Sequence, residues 1–325
     1  MIFSANKWNR AEEIKRYEAV SASCSFETFE APLRTAYNKF LLPVLGDSMS
    51  ERLIGLYADT EPSLNPGSTK DEQLLFLAQC ANLLLALWNS YQSLNVVVDD
   101  GGMRNMLGEN SAGPYKYQEN ALKKYYRNSG FDALDRLFDF LVKNKDEYAE
   151  IKESHAYKQR IGGVVKNAAE FDSYYPIGSS SLIFIAMRPE MKRTEDNIVA
   201  PRLGDLYDEL KEAMQSDSMS PELEELRSKL VPCVVLYAVS KSALCNAKLT
   251  DKGLYFSSVD SAEGYEIEQP ADKEMMVRVS RSAKEDADNY WQKVARYVER
   301  TFGKDRCSSA RIPLRSNDNH TCLFL

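Results

Sequence analysis

Histidine is the usual carrier of proton transfer near neutral pH, and this chain has two, His155 and His320. A Ser-His-Asp or Cys-His centre needs its imidazole packed against the nucleophile. His155 lies in the charged stretch "KNKDEYAEIKESHAYKQR" and His320 in the polar last segment, so both read as solvated surface residues. Asp99-Asp100 beside Gly101-Gly102, and Asp251 beside Gly253, resemble a metal or phosphate turn. A calcium loop needs oxygen ligands at several alternating positions, and the short carboxylate run here reads instead as a helix-exit turn. The glycines do not complete a dinucleotide fingerprint, and the chain has no Gly-Lys-Ser/Thr phosphate loop. The last four residues, "CLFL", match a prenylation box with Cys322 as acceptor. Just upstream only Arg311 and Arg315 are basic, so the polybasic helper is missing and the favoured reading is an apolar tip, ending in Leu325, that docks on a neighbouring subunit.

Asp47 and Asp205 recur in one context, Pro-x-Leu-Gly-Asp, and paired carboxylates could do acid–base work. Local helix physics explains the recurrence without catalysis. Gly46 and Gly204 can end one helix in a left-handed conformation, and Asp47 and Asp205 can cap the next. No catalytic residue, cofactor site or metal site is assigned.

The recurrence belongs to a longer duplication. With a shift of 158, positions 21–51 lie over 179–209 with eight identities in 31, among them Ser21/Ser179, Phe26/Phe184, Pro43/Pro201, Gly46/Gly204 and Glu51/Glu209. Background usage gives roughly two. With a shift of 151, positions 71–103 lie over 222–254, where Leu75/Leu226, Leu85/Leu236, Asn95/Asn246, Asp100/Asp251 and Gly102/Gly253 coincide. The loop "YADTEPSLNPGSTKDEQ", rich in turn formers, absorbs the change of shift. A weaker third match sets Leu134, Phe138, Leu141 and Val142 over Tyr290, Val294, Tyr297 and Val298.

Each half therefore carries one plan of elements: helices near 25–42, 47–58, 70–95 and 114–144, repeated near 183–199, 205–216, 221–246 and 271–302. Leu134, Leu137, Phe138 and Leu141 form an i, i+3, i+4, i+7 stripe in the last helix of the first half. "VVV", "KLTDKGLYFSS" and "YEIEQ" leave room for a small hairpin beside each bundle. The expected fold is mainly α: two tandem helical-bundle domains, 1–150 and 151–302, then an extended arm, 303–325. The boundary falls in the charged stretch around 150–165, with its Gly162-Gly163 break.

Composition limits the function classes. With 41 basic and 48 acidic residues the net charge is −7, and an acidic chain lacks the field that draws phosphate backbones, so nucleic acid is not the main partner. The six cysteines contain no Cys-x-x-Cys pair and fit free thiols in a reducing cytoplasm. The first twenty residues contain no apolar signal core. The run Leu74–Leu87, "LLFLAQCANLLLAL", is shorter than a bilayer span and carries Gln79 and Asn82, so it reads as a helix buried in protein.

Eighteen tyrosines are present, and tyrosine is enriched at interfaces. The candidate contact residues are Tyr115, Tyr117, Tyr125 and Tyr126 in "YKYQENALKKYY", Tyr174 and Tyr175 in "SYYPIG", and Leu325. The segments "SHAYKQRIGGVVKNAAEFDSYYPIGSSSLIFIAMRPEM", "VAPRLGDLYDEL" and "RSAKEDADNYWQKVARYVE" resemble a group of uncharacterised proteins of Bacteroides-type bacteria and their prophages, associated with phage head–tail connector (neck) proteins. That resemblance implies a non-enzymatic assembly protein, part of a virion if phage-derived, whose partners are copies of itself or a portal- or tail-like protein. It supplies no catalytic residues. Connector proteins of this kind are usually one small helical domain, whereas this chain is a tandem double. The competing expectation is a cytoplasmic enzyme or regulator with its site in the cleft between the repeats, because pockets favour domain junctions.

Overall fold

The computed structural model describes residues 1–325 except 95, 100–101, 106–114, 217, 243–246, 251–252, 257–272 and 304–325. Two short helices open the chain, α1 (Ala5–Trp8) and α2 (Glu12–Lys15). The first repeat follows with α3 (Phe26–Ala36), a π-turn over Tyr37–Leu41, α4 (Leu42–Asp59), α5 (Lys70–Asn89) and α6 (Tyr91–Leu94). A hairpin of β1 (Val96–Asp99) and β2 (Gly102–Asn105) leads into α7 (Lys116–Lys143). A 3-10 turn over Ala149–Glu153, α8 (His155–Ile161) and α9 (Ala168–Asp172) join the halves. The second repeat has α10 (Ser181–Thr194), a π-turn over Glu195–Val199, α11 (Ala200–Leu203), α12 (Asp205–Ser216) and α13 (Pro221–Ser242). It closes with the hairpin β3 (Ala247–Thr250) and β4 (Gly253–Phe256), then α14 (Lys273–Thr301). The protein is thus mainly α-helical, in two tandem helical repeats of one element order.

The π-turns have a cause in the sequence. A proline inside a helix has no N–H to give, and its ring clashes with the carbonyl four residues back. Pro43 and Pro201 would meet the carbonyls of Lys39 and Asn197 in this way. In both halves the residue just before the proline bonds five residues back instead of four, Leu42 N–H to Tyr37 and Ala200 N–H to Glu195. The extra residue in the turn carries the chain past the proline without ending the helix.

Three residues further on, each chain direction breaks at a glycine. Gly46 has φ 76° and ψ 169°, and Gly204 has φ 54° and ψ −134°. Both lie in regions that a Cβ makes costly. The aspartates that follow do not act as side-chain caps: Gly204 itself precedes the first helical residue, Asp205, and Tyr207 N–H bonds to the Gly204 carbonyl at 2.8 Å. Asp47 and Asp205 are exposed residues of the first turn, where negative charge faces the positive end of the helix dipole.

The third helix carries the apolar load in each half. Thr69 and Glu72 form a capping box at the start of α5, with the Thr69 hydroxyl accepting from Glu72 N–H at 3.2 Å and the Glu72 carboxylate accepting from Thr69 N–H at 2.6 Å. Beyond it, Leu74 through Leu87 is buried on nearly every side, as is Leu230 through Val239 in α13. Such all-round burial marks a central helix. α5 packs along α7, and α13 along α14. The strand pairing is antiparallel, Val96↔Asn105 to Asp99↔Gly102 and Ala247↔Phe256 to Thr250↔Gly253. The segment around Asp99 is therefore a hairpin and not a helix-exit turn; the residues between its strands lie outside those described.

The described residues form two apolar cores. One runs from Ile2 to Tyr157 and the other from Val164 to Val298, so the change of core falls at Gly162-Gly163. Residues 151–161 belong to the first core, through Ile151, Tyr157 and Ile161. Among the described residues no helix is long and apolar enough to cross a membrane.

Candidate interaction surface

The start of α7 is largely exposed. Gly130 touches the helix opposite so closely that a Cβ there would lie 2.9 Å from the Leu85 side chain. Since α5 ends at Asn89, the first ten or so residues of α7 lie past its end, about 15 Å at 1.5 Å per residue. Tyr115 begins this extension, and the Gln118 side chain accepts from its N–H at 3.1 Å. Tyr115 is 70% exposed, Tyr117 51%, Tyr125 49% and Leu122 38%. Leu122 and Tyr125, at i and i+3, share one face, and Tyr117 lies about 80° round the helix from Tyr125 at about 100° per residue. The Tyr115 and Tyr117 rings stack, with centroids 5.8 Å apart and planes inclined by 11°. Lys123 reaches back over the Tyr91 ring, 5.0 Å from its centroid.

Not every tyrosine of the sequence-predicted set is on this surface. Tyr126 faces the first core and is buried, and burial raises its hydroxyl pKa to about 12. Tyr175 packs partly against the second core. Tyr174 is exposed and meets Tyr290 edge to face at 6.0 Å. With Glu225, Ser228, Lys229, Pro232 and Lys293, these two rings border a cavity of about 270 Å³. It is separate from the α7 surface. His155 is exposed at the first position of α8; His320, Cys322 and Leu325 lie outside the described residues.

The junction of the repeats is polar. Asp135 of α7 accepts from the Ser181 hydroxyl of α10 at 3.0 Å and from Arg160 of α8 at 3.3 Å. Arg160 also bonds Asp139, and its guanidinium lies 4.9 Å from the centre of the Phe138 ring. Arg188 of α10 lies nearby, and burial together with the Arg160 charge lowers its pKa. Beside this junction opens a cleft of about 420 Å³, lined by Lys145, Lys152, Lys158, Tyr157, Gln215 and Ser216. Among the described residues no three His, Cys, Asp or Glu side chains gather to hold a metal.

Each repeat also buries a glutamate against a tyrosine. Glu13 accepts from the Tyr57 hydroxyl and from the Gln79 amide at 3.1 Å. Glu195, in the second π-turn, accepts from Val164 N–H at 3.1 Å and from the Tyr207 hydroxyl at 2.9 Å. Burial raises the pKa of both acids despite these bonds. No hydrophobic period signals such groups, so reading the sequence for catalytic patterns did not find them. Nor did it find Arg160 and Asp135, whose contact joins residues 25 apart.

The family of unknown function DUF6712 matches residues 41–161 and again residues 199–304. The chain belongs to this family. The two DUF6712 matches begin 158 residues apart (199 − 41), the shift of the first repeated block, and the first begins at the last residue of one π-turn as the second does at the last residue of the other. A DUF6712 unit in this chain thus comprises the glycine elbow, the central helix, the hairpin and the long closing helix. No curated protein and no solved structure matches the chain.

Proposed function

We propose that this protein is a non-enzymatic assembly component, of the kind found at a phage head–tail connection. It would bind copies of itself or a portal- or tail-like partner through the extended start of α7. The observation that carries the reading is the exposed, stacked Tyr115–Tyr117 pair with Leu122 and Tyr125 on the part of α7 past the end of α5. A buried aromatic side chain removes about 150–250 Å² from water. These residues therefore supply a large part of the roughly 800 Å² per partner that a standard interface needs. Tyrosine also loses little conformational freedom on docking. The test is to mix the protein with a candidate portal protein and look for ring-shaped complexes by electron microscopy, then repeat with Tyr115→Ser, Tyr117→Ser and Tyr125→Ser combined. Complexes that form with the parent and not with the variant support the reading. Failure of the parent to bind, alongside turnover of a metabolite that depends on the inter-repeat cleft, overturns it.

The cleft favours a second reading, a regulator that binds a small anion. Lys145, Lys152 and Lys158 border it together with the amide of Gln215 and the hydroxyl of Ser216. This set suits a phosphate or carboxylate group. Calorimetry with inorganic phosphate, on the parent and on a Lys152→Glu, Lys158→Glu variant, separates this reading from the first.

A further inference from the structure

The two elbows are built alike and finished differently. In the first repeat the chain leaves α7, turns back and lies across α4 as a strap. Tyr148 donates to Asp71 at 2.9 Å, Lys70 pairs with Glu147 at 2.5 Å, and Arg52 pairs with Glu150 at 2.8 Å. Ser48 donates to Glu153 at 2.6 Å. Ser154 then closes over the elbow, its Cβ only 3.2 Å from where a Cβ of Gly46 would stand. In the second repeat, among the described residues, a Cβ on Gly204 would meet nothing within 4 Å. The outer face of α12 shows Asp205, Asp208 and Glu212, all exposed, at i, i+3 and i+7.

Three further facts concern what belongs there. The family unit includes the strap in the first repeat, where its match spans 121 residues (41–161), and stops 15 residues shorter in the second, at 106 (199–304). α14 delivers the chain to the corresponding place: Tyr297 near its end donates to the Glu222 carbonyl at the start of α13, as Tyr148 donates to Asp71 at the start of α5. The chain then continues Gly303-Lys304-Asp305, where the first strap begins Asn144-Lys145-Asp146. Residues 304–325 carry Lys304, Arg306, Arg311 and Arg315 against Asp305 and Asp318. In the first repeat the body offers Arg52 and Lys70 and the strap offers glutamates. In the second, buried Leu206 and Leu210 stand where Ser48 and Arg52 do, the exposed carboxylates lie on the adjoining face of α12, and the following segment offers arginines.

We propose that residues 304–325 dock in cis across the Gly204 elbow and the acidic face of α12, as a second strap of opposite charge. Twenty-two residues reach up to about 70 Å when extended, at about 3.3 Å each, well beyond what crossing one helix requires. The contact is held by exposed ion pairs and so weakens with salt.

The test is amide hydrogen exchange on the full chain, comparing residues 205–216 with residues 47–59 as an internal control. An Arg306→Glu, Arg311→Glu, Arg315→Glu variant should lose protection in 205–216 and keep it in 47–59, as should the parent at high salt. Adding Asp205→Lys and Asp208→Lys to that variant should restore the protection. Exchange in 205–216 that is the same in parent and triple variant overturns the proposal. So does protection that vanishes when the parent is diluted, because the segment would then come from a second copy.

Discussion

Ser181 donates to Asp135 across the boundary between the repeats at 3.0 Å, and the same carboxylate receives Arg160 at 3.3 Å. One side chain on α7 thereby holds both the linker helix and the first helix of the second repeat. The Arg160 side chain is 4% exposed, so its charge depends on these partners.

Asp135→Ala should therefore cost about 2–3 kcal/mol, somewhat less than the 3–5 kcal/mol of a fully buried pair, because Asp139 still faces Arg160. Chemical denaturation should also become less cooperative as the repeats uncouple. A loss under about 0.5 kcal/mol, the range of ordinary surface changes, would show that the junction is not held by this contact.

Gly130→Ala sets two effects against each other. Alanine improves helix propensity by about 1 kcal/mol over glycine, but its Cβ would lie 2.9 Å from the Leu85 side chain and 3.2 Å from the Leu85 backbone nitrogen. Overpacking of this kind costs about 1–3 kcal/mol. The expected outcome is net destabilisation, measured as a lower denaturation midpoint. In the second repeat Ala287 of α14 is fully buried, so Ala287→Gly should also destabilise, by loss of propensity and contact.

Glu195 supplies a pH signature. Burial raises its pKa, so the folded chain binds that proton more tightly than the unfolded one. Its contribution is therefore full below the ordinary carboxylate range and is lost as pH rises through the raised value. Glu195→Gln removes the titration and keeps groups for the Val164 N–H and the Tyr207 hydroxyl. The stability of the variant relative to the parent should increase from acid to neutral pH in denaturant melts. A difference independent of pH would refute the assignment.

Neighbouring tyrosines should separate stability from association. Tyr126→Ala removes a buried ring and should cost about 3 kcal/mol or more, whereas Tyr125→Ala removes a half-exposed one and should stay near the ±0.5 kcal/mol of ordinary surface changes. Thermal melts of the two variants make the comparison.

The architecture was legible wherever local physics is strong. Leu134, Leu137, Phe138 and Leu141 announced their helix by period, and the shift of 151 carries the strands at 96–99 and 102–105 onto 247–250 and 253–256. The π-turns were hidden, because the prolines that follow them also suit the first turn of an ordinary helix. The strap was hidden for another reason. Its anchors, such as Ser48 and Glu153, are 105 residues apart, and no local pattern encodes such a meeting. Tyr125 and Tyr126 were indistinguishable by type; only the rotation of α7 against the body tells outward from inward.

The π-turn also dates events. An inserted residue at Tyr37–Leu41 and another at Glu195–Val199, each in the same place before a proline and a glycine, were not acquired twice by the simplest history. The insertion came first and the doubling of the gene segment afterwards. A single-unit ancestor would already have had the bent helix. Two units in one chain are tethered neighbours at a fixed ratio, so any assembly built from this protein counts its units in pairs.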